Sequence, residues 1–348
     1  MLVVFAVVLT GLQYAGLAPR VSGQGTEVVA GQVDGVLPVT DPGSSLWEGA
    51  TAVDVPLSAQ ILVKPNRSAA SVPSLEVRAL HNATSLAWRI TWADATKDNR
   101  TTSQNDFRDA VAVQIAPAAG VPNICMGAAG AQLQILQWKA DWQADIDGGF
   151  FSVEDEFPHF WSDYYPYLIG EGPYRRPENF TAAAKQYLVG WQVGNPMSEP
   201  LKVTPVEDAV AQGFSTITTQ ANQSALGRGV WASGTWSVVI ARAKSPQDAQ
   251  DVPIGDNVLA FAVWDGASGD VGSRKSASSW VTLRLETPTG PPPLYLVLGL
   301  GGLVVAIALI ALVPLARRRR RRAQGATAEV PKPAPAATKP KPGGGKRK

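Results

Sequence analysis

The 348-residue chain combines 45% hydrophobic with 17% charged residues, a balance typical of a globular domain rather than a disordered chain. Its single cysteine, Cys125, excludes an intramolecular disulfide, and its two histidines, His81 and His159, exclude a multi-histidine metal site. The net charge of +2 conceals an asymmetry, because the residues from Arg317 onward contain 12 Lys/Arg and a single acid. Basic residues gathered in such a tail, rather than on a folded face, argue against nucleic-acid binding.

Residues 1–25 begin with an apolar run, Leu2 to Leu12, and end in small and polar residues. This pattern predicts a signal peptide with a cleavage site near Gly23. No Lys or Arg precedes the apolar run, so a retained N-terminal apolar segment stays open as the alternative.

Residues 26–285 carry repeated strand signals. Leu86, Trp88, Ile90 and Trp92 alternate with more polar residues, which is the period of a half-buried strand. Long amphipathic helices are absent from the pattern, so we expect an all-β fold: an antiparallel two-sheet β-sandwich, immunoglobulin-like, with a long loop insertion. Further strands are predicted at Leu75–Arg78, Ala110–Ile115, Leu133–Trp142, Thr235–Arg242, Val258–Trp264 and Trp280–Leu285.

The stretch from Ile146 to Leu201 interrupts the strand pattern and is rich in Phe, Tyr, Gly and Pro. A long aromatic loop of this kind covers a ligand or a partner in many proteins. The equally weighted alternative is a satellite cluster packed on one sheet.

The C-terminal part predicts a membrane anchor. Four prolines within residues 286–293 indicate a stiff stalk, and residues 294–316 form an uncharged run long enough to cross a bilayer as one helix. Six arginines, Arg317 to Arg322, follow at once, so the positive-inside rule places the end of the chain in the cytoplasm. Residues 317–348 are predicted to be a disordered basic tail, and the large N-terminal domain is expected outside the cytoplasm, at the cell membrane.

Two distant segments bring a thioether and an amine to one apolar, tryptophan-lined pocket. Met126 lies between Cys125 and Gly127 in a predicted turn, and Lys275 precedes the last strand. A thioether and a neutral amine are both suitable axial ligands for haem iron. The chain has no Cys-x-x-Cys-His, so such a haem would be held without covalent links. The predicted pocket walls are Trp138, Trp142, Trp264 and Trp280.

Lys275 can bind iron only as the unprotonated amine, which requires an apolar site that lowers its pKa. Lys139, between Trp138 and Trp142, is the rival lysine, but strand alternation is expected to turn it toward water. His81 is expected to face solvent at a hairpin turn. His159, in the aromatic loop, is the substitute ligand if Lys275 fails.

Eight segments in order resemble one known family, the haem b-binding gamma subunit of type II dimethyl sulfoxide reductase-group molybdoenzymes. That subunit is shared by ethylbenzene dehydrogenase and by chlorate, selenate and nitrate reductases. The resemblance covers nearly all of residues 45–285. The segments are Ala52–Leu57, Leu86–Asp94, Phe107–Gln114, Met126–Gly127, Trp138–Gln143, Gly234–Val239, Phe261–Gly266 and Lys275–Trp280.

The resemblance implies one non-covalent haem b, with Met126 and Lys275 as the iron ligands. It also implies a subunit without catalysis of its own, which relays electrons between an iron–sulfur beta subunit, a molybdopterin alpha subunit and a quinone or cytochrome c partner. Ala128 stands where the family has an acid, and Cys125 precedes the ligand Met, so local hydrogen bonding differs from the family. Soluble members of the family lack the C-terminal membrane helix.

A second hypothesis is a membrane-anchored extracellular β-sandwich that binds carbohydrate or another ligand through its tryptophans, because fold alone does not determine function. An enzyme is disfavoured, since two histidines and one cysteine offer no convincing pair of nucleophile and base.

Overall fold

The computed structural model describes residues 26–157, 189–195 and 198–287, together with the single positions 307, 310, 314, 317 and 318. Strands dominate this part of the chain, as the sequence predicts. They are β1 Glu27–Gln32, β2 Val53–Pro56, β3 Ser58–Ala59, β4 Ser74–His81, β5 Ser85–Ala93, β6 Ala110–Pro117, β7 Leu133–Lys139, β8 Val206–Ala211, β9 Thr218–Thr219, β10 Leu226–Ala232, β11 Thr235–Ala243, β12 Asn257–Trp264, β13 Ser276–Ala277 and β14 Val281–Leu285. The helices are short: a 3-10 helix Ser45–Gly49, α1 Ala140–Gly148, α2 Val153–Glu156 and α3 Val189–Gln192.

The strands form one hydrogen-bonded sheet in the order β10-β11-β5-β4-β1-β14-β12-β6-β7-β8-β9. Side chains of β4, β5 and β11 share one buried cluster with side chains of β6, β7 and β12, so the sheet folds over its own core like a sandwich. The prediction of a mostly β, sandwich-like fold is confirmed. The prediction of two separate antiparallel sheets is wrong, because β1 pairs in parallel with both β4 and β14 and joins the two halves.

The inner face of the sheet holds a cluster of tryptophans. Trp138 of β7 lies with its ring centroid 4.9 Å from that of Trp236 and 6.5 Å from that of Trp92, edge to face in both cases. The alternation of β5 and β7 turns these rings inward, where each buried indole contributes roughly 4–6 kcal/mol of transfer free energy before entropy is subtracted.

The outer face of the half formed by β12, β6, β7 and β8 carries small side chains. We call it the alanine face and define it by Ala110, Ala112, Ala116, Ala209, Ala211, Ala260 and Ala262. Register places Ala112 opposite Ala262 and Ala110 opposite Trp264. Because an alanine projects only a methyl group, several alanines in adjacent strands leave a flat apolar surface instead of an interlocked one.

One predicted strand ends early. The sequence predicts a strand from Leu133 to Trp142, but β7 ends at Lys139 and α1 begins at Ala140. Asp141 in the first turn favours the helix because a carboxylate stabilises the positive end of the helix dipole. The helix stops before Gly149, whose φ of 91° few other residues adopt. Trp142 therefore lies on a helix, and strand alternation does not apply to it.

Several predictions fall outside the described residues: the N-terminal segment 1–25, His159, most of the stalk 286–293, and the segments 294–316 and 317–348 apart from the single positions given above. Within the described part of the chain, no helix has the length and apolar character needed to cross a bilayer. Parts of the aromatic stretch 146–201 are described, and they contain α2 and α3.

Candidate functional site

Met126 is held on the alanine face by a tight turn. Its φ of 72° is rare for a residue with a side chain, and Gly127 follows with a φ of 81°. Gln114 of β6 donates a hydrogen bond from Nε2 to the Ile124 carbonyl oxygen at 3.1 Å, which ties the turn to the sheet. The Met126 side chain packs against Ala110, Ala112, Ile135, Ala209, Ala211 and Trp264. The turn therefore presents the thioether to the alanine face.

Lys275 reaches the same place from the other side. It precedes β13, and the pairing of Ser276 with Val263 sets Lys275 next to Trp264. The Nζ atom lies 4.8 Å from the centroid of the Trp264 ring. Gln60 donates from its backbone N–H to the Lys275 carbonyl at 3.0 Å and fixes the loop. The structure thus brings together the two segments that the sequence singles out.

The amine of Lys275 lies in an apolar environment. Burial lowers its pKa, and the nearby Cys125 thiol partly offsets that effect. In the part of the chain that the structure describes, no carboxylate lies within ion-pair distance of this amine. A lysine amine that is buried without a counter-charge has a greater tendency to exist as the neutral base, and the neutral base is the form that binds a metal.

Lys139 is buried, so the prediction that it points to water is wrong. Its side chain is only 1% exposed, and its amine forms an ion pair with Glu207 of β8. The same amine lies 4.1 Å from the centroid of the Trp142 ring. Desolvation lowers the pKa of Lys139 to about 8, and the charge of Glu207 opposes that shift. Alternation does put Lys139 on the face opposite Trp138, but that face is the buried alanine face rather than a solvated surface.

The four predicted pocket tryptophans lie in three different places. Trp264 and Trp280 lie on the outer side of the sheet; Trp264 borders Met126, and Trp280 packs on Ala116, Leu133 and Val258 at the far end of the face. Trp142 lies beneath the amine of Lys139. Trp138 is in the inner core and donates from Nε1 to Gln143 Oε1 at 2.9 Å, so it is not a wall of the Met126–Lys275 site.

His81 is also placed differently from the prediction. It is the last residue of β4 and only 5% exposed. Its Nε2 atom lies 2.8 Å from the Glu286 carbonyl oxygen. It lies beside β1 and β5, away from the alanine face. His81 is therefore a buried structural histidine, and the alternative ligand His159 lies outside the described residues.

Four carboxylates that the sequence reasoning missed gather at the start of β6, next to Ala110 and Trp264. The ligand-type oxygens of Asp94, Asp98, Asp109 and Asp265 all lie within 4.8 Å of one another. Asp109 accepts hydrogen bonds from the N–H groups of Asp98, Gly266 and the Trp236 ring. Burial raises the pKa of Asp109 to about 7. Carboxylate oxygens are the ligands that hard divalent cations prefer. In this cluster, however, the Asp109 oxygens already accept hydrogen bonds from N–H groups of the protein, and we assign the cluster a structural role.

Comparison with known proteins gives one curated relative and two solved structures of interest. A curated relative, a protein named "Putative respiratory nitrate reductase heme subunit ORF7" from Haloferax mediterranei, is 25% identical over 270 residues, which covers 76% of this chain and 75% of the relative. Two solved structures of a family 9 carbohydrate-binding module from Caldicellulosiruptor kristjanssonii, with glucose and with cellotriose, cover 77% of the chain at 8% identity. Their shares of the modules are 100% and 98%, with TM-scores of 0.33 and 0.35, too low to support a conclusion about fold or ligand.

The family model described as ethylbenzene dehydrogenase matches residues 44–276. The matched range contains Met126, Lys139, Trp264 and Lys275, but not Trp280. This match confirms the resemblance that the ordered segments indicate. The chain belongs to the ethylbenzene dehydrogenase family.

Proposed function

We propose that residues 26–285 bind one haem b without covalent links, with Met126 and Lys275 as axial ligands, and that the subunit transfers electrons without catalysing a reaction on substrate. The observation that carries the proposal is the Lys275 amine. It is desolvated, has no carboxylate partner in the described part of the chain, and lies beside the turn that presents Met126. Thioether and amine donors facing one apolar surface match the ligand chemistry of a low-spin haem.

The surroundings fit a flat apolar group. The alanine face offers a surface of methyl groups, and Trp264 borders it at the Lys275 end. A bound haem supplies a one-electron iron couple. The residues of this chain hold the group, exclude water from it and keep the Lys275 amine in its neutral form. Lys139 is the weaker candidate for a ligand, because Glu207 already occupies its amine.

The family match and the curated relative support a proposal for the partners. The curated relative is named as a haem subunit of a respiratory nitrate reductase. By extension, this chain assembles with an iron–sulfur beta subunit and a molybdopterin alpha subunit and exchanges electrons with a quinone or a cytochrome c. We also propose that the domain lies outside the cytoplasm, anchored in the cell membrane by residues 294–316. The uncharged run and the six arginines after it support that arrangement.

The test is spectroscopic. Purified full-length protein, loaded with haem b, is expected to give a low-spin spectrum and to release its haem to acid acetone, since no covalent link is present. Met126→Ala and Lys275→Ala should each convert the spectrum to high spin or lose the haem. Lys64→Ala, at an exposed position, is the matched control and should leave the spectrum unchanged. A correctly folded wild-type protein that takes up no haem would refute the proposal. If that protein bound oligosaccharides, and Met126→Ala left the binding unchanged, the result would favour a carbohydrate-binding module.

A further inference from the structure

The alanine face carries one buried ion pair that haem ligation leaves unexplained. The Lys139 side chain is 1% exposed and the Glu207 side chain 9% exposed. Thr219 donates from its hydroxyl to the second oxygen of Glu207, so the carboxylate is held on both sides. A buried pair of this kind is commonly no more stable than apolar residues of the same volume. Its presence on a face made mostly of small apolar side chains therefore points to a role other than stability.

The pair lies close to the Met126–Lys275 site. Lys139 is directly opposite Ala110 in the register, and Ala110 is directly opposite Trp264. Since neighbouring strands are about 4.8 Å apart, the backbones of Lys139 and Trp264 are roughly 10 Å apart. Glu207 is two residues before Ala209, which contacts the same cluster as Met126. If the charge of a group held between Met126 and Lys275 changes on reduction, that change therefore takes place about two strand spacings from the Lys139–Glu207 pair.

At that distance the electrostatic coupling is appreciable. A unit charge roughly 10 Å away, at an effective dielectric constant of about 20, shifts a pKa by about one unit. Burial places the pKa of Lys139 at about 8, within the range where such a shift changes its protonation. Among the described residues, the charged groups that act on Lys139 include Glu207, which raises its pKa, Arg108, which lowers it, and Asp141, which raises it. The Lys202 amine also lies near the Trp142 ring, at 5.1 Å from its centroid.

We propose that the Lys139–Glu207 pair is the redox-linked proton acceptor of this site. The inference rests on the proposed haem function and adds to it a role for a second lysine. Above about pH 8 the Lys139 amine is neutral in the oxidised protein. When a one-electron donor, such as an iron–sulfur protein, reduces the site under these conditions, one electron enters and one proton moves from solvent to that amine, which becomes an ammonium paired with Glu207. The net charge of the region is then unchanged. Reduction and protonation of Lys139 are thermodynamically linked: reduction favours protonation, and protonation favours reduction. A rising pH, which removes the proton, therefore makes reduction less favourable.

The sign follows from the charges. An added electron favours the protonated amine and raises the pKa of Lys139 above its value in the oxidised protein. Between these two pKa values, from about pH 8 to about one unit higher, the equilibrium constant for reduction should fall up to tenfold for each unit of rising pH. Below and above this window the constant should be independent of pH.

The experiment measures the haem midpoint potential by optical titration from pH 6 to pH 10 on full-length, haem-loaded protein. Lys139→Arg keeps the ion pair but cannot lose its proton, and it should flatten the profile while the spectrum stays low spin. The double variant Lys139→Met/Glu207→Gln removes both charges together and should also flatten the dependence of the midpoint potential on pH. It provides the test if the protein cannot accommodate arginine at position 139. Lys244→Arg, beyond the end of β11, is the control and should retain the wild-type slope.

The outcomes separate this inference from the proposed function. A wild-type protein that binds haem but shows no pH dependence near pH 8 overturns the inference and leaves the haem proposal intact. A slope that survives in both Lys139 variants overturns it too. Asp109, with a pKa of about 7, is the competing group, and loss of the slope in Asp109→Asn alone would assign the proton to it instead. A wild-type protein that binds no haem overturns both proposals.

Discussion

The amine of Lys275 lies 4.8 Å from the centroid of the Trp264 ring. Two opposing effects meet at this contact: the ring attracts a cation by up to about 2 kcal/mol, while burial disfavours the charge. Burial is the larger effect, because the pKa of Lys275 is lowered. The pairing of β13 with β12 places the two residues side by side, so the backbone register determines this environment. Trp264 thus serves both as packing for the sheet and as the apolar wall that desolvates the amine.

Replacing Trp264 with Leu should therefore weaken both stability and cofactor retention. The smaller side chain leaves a cavity and should lower the free energy of unfolding by about 2–4 kcal/mol. Water that enters beside Lys275 should also speed haem loss by at least about tenfold. Urea unfolding of the haem-free protein and transfer of haem to an excess acceptor protein measure the two effects. Trp280→Leu is the comparison, since Trp280 packs at the far end of the face and should leave the rate of haem loss close to that of the wild type.

The turn that carries Met126 should tolerate no side chain at position 127. A Cβ atom on Gly127 would lie 2.6 Å from the Ala131 carbonyl oxygen, and its φ of 81° is unfavourable for any other residue. Gly127→Ala should destabilise the protein by about 1–3 kcal/mol and shift the Met126 sulfur. Gly130→Ala is a matched control, because Gly130 has a φ of 79° but no atom within 4 Å of an added Cβ. Equal haem affinity in the two variants would argue against a role for the turn in presenting Met126.

Much of the strand pattern follows from the sequence because it is local. The alternation of Leu86, Trp88, Ile90 and Trp92 predicts β5 to within one residue at each end. The parallel pairing of β1 does not follow, because it joins residues about 50 and 250 positions apart, and no local pattern encodes which strand lies beside which. The continuity of the sheet was missed for the same reason.

The candidate site shows the same limit. Met126 and Lys275 could be singled out from their residue types, yet the surface between them is made of alanines, which carry no sequence signal for a site. The error at Lys139 has a physical cause: alternation gives the face on which a side chain lies, but not whether that face is covered. Glu207, its ion-pair partner, is 68 positions away and nothing near either residue indicates the contact.

The separation of Trp138 from the site leads to a third prediction. Trp138 packs against Trp92 and Trp236 in the inner core, and Gly229 approaches its ring so closely that an added Cβ would lie 2.4 Å from the ring. Trp138→Phe should lower the free energy of unfolding by about 1–3 kcal/mol, through the lost ring volume and the lost hydrogen bond from Trp138 Nε1 to Gln143 Oε1. The haem spectrum and the rate of haem loss should stay those of the wild type. Absorption spectra and urea unfolding curves test this. If the spectrum of Trp138→Phe changed as strongly as that of Trp264→Leu, Trp138 would have to be a wall of the haem site.

The cluster of Asp94, Asp98, Asp109 and Asp265 should make stability depend on pH. The pKa of Asp109 is raised to about 7 in the folded protein from 3.8, so between these values the folded state binds more protons than the unfolded state. The contribution of Asp109 to the free energy of unfolding is therefore complete below pH 3.8 and decreases as the pH rises through 7, by at most about 1.4 kcal/mol per pH unit. Asp109→Asn should reduce this slope. The variant also loses at least one of the three hydrogen bonds from N–H groups, because the amide nitrogen of asparagine cannot accept one. Urea unfolding from pH 4 to pH 8 measures the slope in haem-free protein, with the exposed Asp54→Asn as control. A slope unchanged by Asp109→Asn would mean that another member of the cluster carries the shared proton, because carboxylates held this close cannot all ionise without cost.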